Sequence, residues 1–89
     1  MYILDEPEAA LSPQRQLAVL SRMHDLVQQG SQFIIATHSA ILMAYPESSI
    51  YQFSQDGIAP VAYEDTEHFQ VSRDFLANPQ RMLRQLLRD

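Results

Sequence analysis

Two short apolar runs, Tyr2-Ile3-Leu4 and Gln32-Phe33-Ile34-Ile35-Ala36, flank a segment with a marked helix start and a marked helix stop. This pattern narrows the folds open to the chain more than any other feature. Ser12-Pro13 pairs an N-cap serine with proline at the first helical position, where a missing N–H is harmless. Gly30 supplies the residue that most readily closes a helix in the left-handed region. Between them Val19, Leu20, Met23, Leu26 and Val27 recur at helical spacing. The reading is strand, helix over 13–29, strand, with short joints. That is a βαβ unit with parallel, buried strands and a right-handed crossover.

The rest of the chain reads as smaller pieces. A short helix around 39–44 stops at Pro46, and a third strand covers 49–53. Gln55-Asp56-Gly57 forms a turn, and a returning strand over 58–63 closes a hairpin. Thr66 caps a helix carrying Phe69, Phe75 and Leu76. Asn78-Pro79 repeats the cap-then-proline signature ahead of Met82, Leu83, Leu86 and Leu87. The expected class is α/β, with a mostly parallel sheet, a C-terminal β-hairpin and terminal helices.

Composition removes several function classes. The 89 residues suit one small domain with a limited core. Without cysteine there is neither disulfide nor thiolate metal site. No apolar run reaches the roughly 20 residues of a membrane span, and no signal-like N-terminus is present, so the expectation is a cytoplasmic protein without a membrane partner. A net charge of −5 with no lysine argues against a nucleic-acid grip on this chain, although a larger protein could still hold DNA.

Chemistry concentrates where the strands end. Ligands of open parallel sheets bind outside the carboxyl ends of the strands. Asp5 and Glu6 follow the first strand, and Thr37-His38 follows the second. An aspartate there can hold a magnesium ion, usually through water. A glutamate beside it can take a proton from an attacking water. A histidine opposite can hydrogen-bond a phosphate oxygen.

Tyr2-Ile3-Leu4-Asp5-Glu6-Pro7 resembles the Walker B segment of ABC-type ATPases. Ala9-Ala10-Leu11-Ser12-Pro13 lies where that family has its D-loop, and Ile34-Ile35-Ala36-Thr37-His38-Ser39 resembles its switch-histidine H-loop. Glu-Pro-Glu-Ala-Ala-Leu-Ser-Pro followed by Thr-His-Ser resembles the soluble RecF/SMC-like group of ATPases more than a transporter subunit, and the tail over 64–87 is similar to that group too. The resemblance implies a P-loop NTPase fold and Mg²⁺-dependent ATP hydrolysis. Asp5 would be the metal residue, Glu6 and His38 catalytic, and His38 would contact the γ-phosphate. Ser12, standing where transporters have an aspartate, would face the nucleotide.

Two glycines 27 positions apart and no lysine cannot make a Walker A phosphate loop. The glutamine loop and signature motif are absent as well. Residues 1–89 therefore read as the C-terminal portion of one ATPase domain, inactive alone. Its expected partners are the missing N-terminal part and a second copy across the nucleotide sites. Bare sheet edges and self-association should follow.

Alternatives come from other classes. One is a non-catalytic dimerisation or regulatory module. Another is an unrelated metal-dependent phosphohydrolase using Asp5, Glu6, Glu8 and His38. Glu8 also reads as a loop-capping or exposed acid, His24 beside Asp25 as a surface group, and His68 beside Glu67 as part of a charged helix start. Arg81, Arg84 and Arg88 share one helical face that reads as solvated.

Overall fold

The computed structural model describes residues 1–88, and the chain divides into two compact units, Met1–Ser48 and the segment from Ser49 onward.

In the first unit β1 (Tyr2–Asp5) pairs in parallel with β2 (Phe33–Ala36), and α1 (Pro13–Gln28) connects them. The local signals account for both helix ends. The Ser12 hydroxyl accepts from the Arg15 N–H at 3.2 Å, with Pro13 opening the first turn. At the other end the Gly30 N–H donates to the Val27 carbonyl and the Ser31 N–H to the Leu26 carbonyl. This is a Schellman stop, and it requires the left-handed backbone that Gly30 adopts at φ +93°. Of the apolar stripe on α1, Met23 is buried and the other four residues are half-buried. Leu42, on a 3₁₀ turn at Leu42–Ala44, completes the small buried core of this unit.

Two expectations for this unit need correction. The strands are not buried through their length: Ile3 is 75% exposed and Ile34 52%. They are partners in register, so one face of the sheet carries both. A parallel sheet normally has both faces covered, and a two-stranded sheet has too few neighbours to achieve this. Leu4, Phe33 and Ile35, at the alternate positions, are half-buried, and the Tyr2 and Phe33 rings stack at 4.8 Å. The helix expected over 39–44 is only the 3₁₀ turn. The Ser39 hydroxyl accepts from the Leu42 N–H at 3.1 Å where the turn begins. Pro46 disfavours helical backbone at Tyr45, whose ψ is 125°.

In the second unit β3 (Ile50–Ser54) and β4 (Gly57–Val61) form an antiparallel hairpin closed by a two-residue loop. Among the described residues the sheet content is thus one parallel pair and one antiparallel pair, not one mostly parallel sheet. β4 ends at Val61 instead of Tyr63. The Tyr63 carbonyl accepts from the Thr66 hydroxyl at 2.8 Å, and the Tyr63 ring meets Phe69 at 4.9 Å. Both contacts draw Tyr63 into a 3₁₀ turn, Tyr63–Asp65. Thr66 caps α2 (Glu67–Ala77) through the Phe69 N–H, and Asn78 caps α3 (Pro79–Leu86) through the Arg81 N–H. Among the described residues no helix is long and apolar enough to cross a membrane.

Candidate functional site

Strand register assembles the site. Tyr2 lies opposite Phe33, Ile3 opposite Ile34, Leu4 opposite Ile35 and Asp5 opposite Ala36, so the carboxyl ends of β1 and β2 are flush. The Glu6 N–H extends the ladder by one bond, donating to the Ala36 carbonyl at 2.7 Å. The chain then turns sharply, with Glu6 in the left-handed region at φ 49°. That conformation costs a non-glycine residue about 1–2 kcal/mol. It directs the side chain across the strand ends, where Glu6 Oε1 lies 2.9 Å from His38 Nδ1, a partner 32 residues away. The two side chains remain 53% and 70% exposed. An exposed pair of this kind stabilises a fold by at most about 1 kcal/mol. Its stabilisation does no better than offset the backbone cost, so fold stability alone gives little reason for the arrangement.

Glu8 makes the second bridge between the loops. Its Oε1 accepts from the Thr37 hydroxyl at 2.6 Å, and its Oε2 from the His38 N–H at 3.0 Å. Burial pushes the Glu8 carboxyl up, but the Thr37 hydroxyl, the His38 amide, its own amide and the His38 charge together hold it below the ordinary glutamate value. Two donors aimed at two oxygens favour the ionised form.

A further run of bonds joins these loops to α1. The Ser39 N–H donates to Thr37 Oγ1 at 3.0 Å, and the Ser39 hydroxyl donates to Gln16 Oε1 at 2.5 Å. Gln16 Nε2 in turn donates to the Leu11 carbonyl at 3.2 Å. Ser39 is buried, and no buried side-chain polar atom among the described residues lacks a partner.

The residues expected from sequence fall into two groups. Glu6 and His38 are brought into contact, and Asp5 closes β1 immediately beside them. The Asp5 carboxylate makes no hydrogen bond among the described residues, which leaves a hard oxygen donor uncommitted. Among those residues no three His, Asp or Glu side chains converge as a preformed metal site. Ser12 is not drawn into the cluster; its hydroxyl oxygen caps α1. Glu8, Thr37, Ser39 and Gln16 have a larger part than the sequence suggested. The available signal was the pairing of Glu8 with a hydroxyl residue directly after the second strand. Elsewhere His24 Nδ1 meets the Tyr45 hydroxyl at 3.0 Å, away from these loops in sequence. No known protein family, characterised protein or solved structure matches the chain.

Proposed function

We propose that residues 2–39 form the Walker B, D-loop and H-loop portion of a soluble ABC-class ATP site, in a P-loop NTPase fold whose phosphate loop comes from polypeptide outside this chain. The observation that carries the reading is the 2.9 Å contact of Glu6 with His38 across two flush parallel strand ends. Carboxylate and imidazole come from the two motifs that the ABC resemblance would put into one site.

Glu6 would take the proton of the attacking water, and its contact with His38 fixes the direction of its carboxylate. His38 would contact the γ-phosphate through Nε2–H, as an imidazolium whose Nδ1–H faces Glu6, and hold it against that water. Asp5 fits Mg²⁺, because a single unpaired carboxylate suits an ion that keeps most of its waters. When bound, the ion supplies neutralisation of the phosphate charge. Ser12, at the start of α1, would face the nucleotide from the segment that meets a second copy.

The test is ATP turnover by the complete protein and its Glu6→Gln variant. General-base loss should lower turnover by about 100-fold or more while ATP affinity stays within about threefold. Unchanged turnover would take Glu6 out of its role.

A second reading, a non-catalytic dimerisation or regulatory module, draws on the exposed Ile3–Ile34 face. It expects the complete protein to associate without hydrolysing ATP.

A further inference from the structure

Five hydrogen bonds close a ring around the two loops. Thr37 Oγ1–H donates to Glu8 Oε1, the Ser39 N–H to Thr37 Oγ1, Ser39 Oγ–H to Gln16 Oε1, Gln16 Nε2–H to the Leu11 carbonyl, and the Leu11 N–H to the Glu8 carbonyl at 2.9 Å. Two backbone amides dictate its polarity. The Ser39 N–H can only donate, so Thr37 Oγ1 accepts there, and its single proton points at Glu8. The Leu42 N–H likewise makes Ser39 Oγ an acceptor, so the serine proton goes to Gln16. Gln16 must then present oxygen to Ser39 and nitrogen to Leu11. Glu8 serves both of its donors best when ionised. The ring therefore has one proton arrangement, and bonds in such a chain reinforce one another.

No bond of the ring uses the His38 imidazole or the Glu6 carboxylate. His38 nonetheless lies between ring members Thr37 and Ser39, with its own N–H on Glu8 Oε2. On the other loop, Glu6 lies two positions before Glu8. We infer that Glu8, Thr37 and Gln16 are positioning residues whose ring holds the backbone of residues 37–39 so that the His38 imidazole meets Glu6. The catalytic meaning of this role rests on the proposed ATP site. The geometric role does not.

The inference has a spectroscopic signature. A neutral histidine that donates from Nδ1 to a carboxylate is the Nδ1–H tautomer, whereas a free imidazole side chain favours Nε2–H. The measurement is the ¹⁵N–¹H imidazole correlation spectrum of the 89-residue chain at about pH 9, without nucleotide, where an ordinary histidine is neutral. His38 should be mostly Nδ1–H. Thr37→Val keeps the branched shape and removes the hydroxyl, and it should lower the Nδ1–H to Nε2–H ratio by about three- to tenfold, the equivalent of one hydrogen bond. Thr37→Ser should restore the ratio, and Gln16→Leu should shift it in the same direction as Thr37→Val. His24, on Tyr45 in the same unit, should not change in any variant.

An Nε2–H majority at His38 in the unaltered chain overturns the inference. So does a folded Thr37→Val chain with an unchanged ratio, or a change at His24 as large as that at His38, which would mark general loosening. If Thr37→Val does not fold, Gln16→Leu decides, because Gln16 belongs to neither cap nor the apolar stripe of α1. ATP turnover without the tautomer shift would remove the ring's role and leave the ATP site. A tautomer shift in a complete protein that does not hydrolyse ATP would do the reverse.

Discussion

Leu42→Ala should come close to unfolding the first unit. Leu42 is 4% exposed and, with Met23, forms the buried hydrophobic core of residues 1–48 among those described. The substitution removes three carbons, worth about 2.4 kcal/mol at about 0.8 kcal/mol each. The cavity left behind raises the total to about 3–5 kcal/mol. Domain stability is about 0.05–0.15 kcal/mol per residue, which gives 48 residues about 2–7 kcal/mol in all. The loss is therefore comparable with everything the unit has. Native-state hydrogen exchange at the Met23 amide, in the middle of α1 at the buried core, reads this directly. Its protection should fall by more than about 100-fold, or to the global limit if that comes first. Leu17→Ala is the comparison, because Leu17 lies on α1 but is 56% exposed, and it should change stability by no more than about 0.5 kcal/mol. A Leu42→Ala cost below about 1 kcal/mol, or a Leu17→Ala cost equal to it, would refute the assignment of the core.

Gly30→Ala should cost about 1–2 kcal/mol in a thermal or denaturant melt. A Cβ there meets nothing within 4 Å, so the left-handed φ of +93° is the only penalty; a neutral result would mean the Schellman stop is dispensable. Acid should erode the contribution of Glu8. Its pKa is lower in the folded chain than in the unfolded one, so its stabilisation is complete above the unfolded value, about 4.3, and is lost as pH falls through the folded value beneath it. The stability difference between the unaltered chain and Glu8→Gln should accordingly be flat from about pH 7 to 5 and shrink as the solution is made more acid; a difference that does not change with acid would count against the two-donor arrangement.

Features encoded within four or five residues were legible in the sequence. Ser12-Pro13, Thr66 and Asn78-Pro79 start helices and Gly30 stops one as their chemistry dictates, because a cap needs only its own turn. The parallel pairing and the hairpin followed from the spacing of these signals. What escaped notice depends on neighbours remote in the chain. Ile3 and Ile34 looked like residues of buried strands, since an apolar run does not record whether a sheet has a cover. Tyr63 looked like strand until Thr66 and Phe69 captured it. At the site, Asp5, Glu6 and His38 could be named because residue type and position after a strand suffice to suggest them. The part played by Glu8 depends on a partner 29 residues away and on a register that the sequence does not print. A left-handed glutamate at position 6 was equally invisible, for the residue gives no hint of it as glycine would.

The flush register of β1 and β2 also determines where the gene could gain or lose codons. Glu6 meets His38 because Asp5 lies opposite Ala36, not because 32 positions separate them. Residues inserted between Ser31 and Gln32, beyond the stop of α1, would lengthen the crossover and leave that pairing as it is. One residue inserted within 2–6 or 33–38 would do something quite different. It would reverse which side chains face which side of the sheet and displace one loop by about 3.3 Å along the strand, farther than a hydrogen bond can stretch. Length variation is therefore tolerated between the stop of α1 and β2 and forbidden along β1 and β2, whatever reaction the site serves.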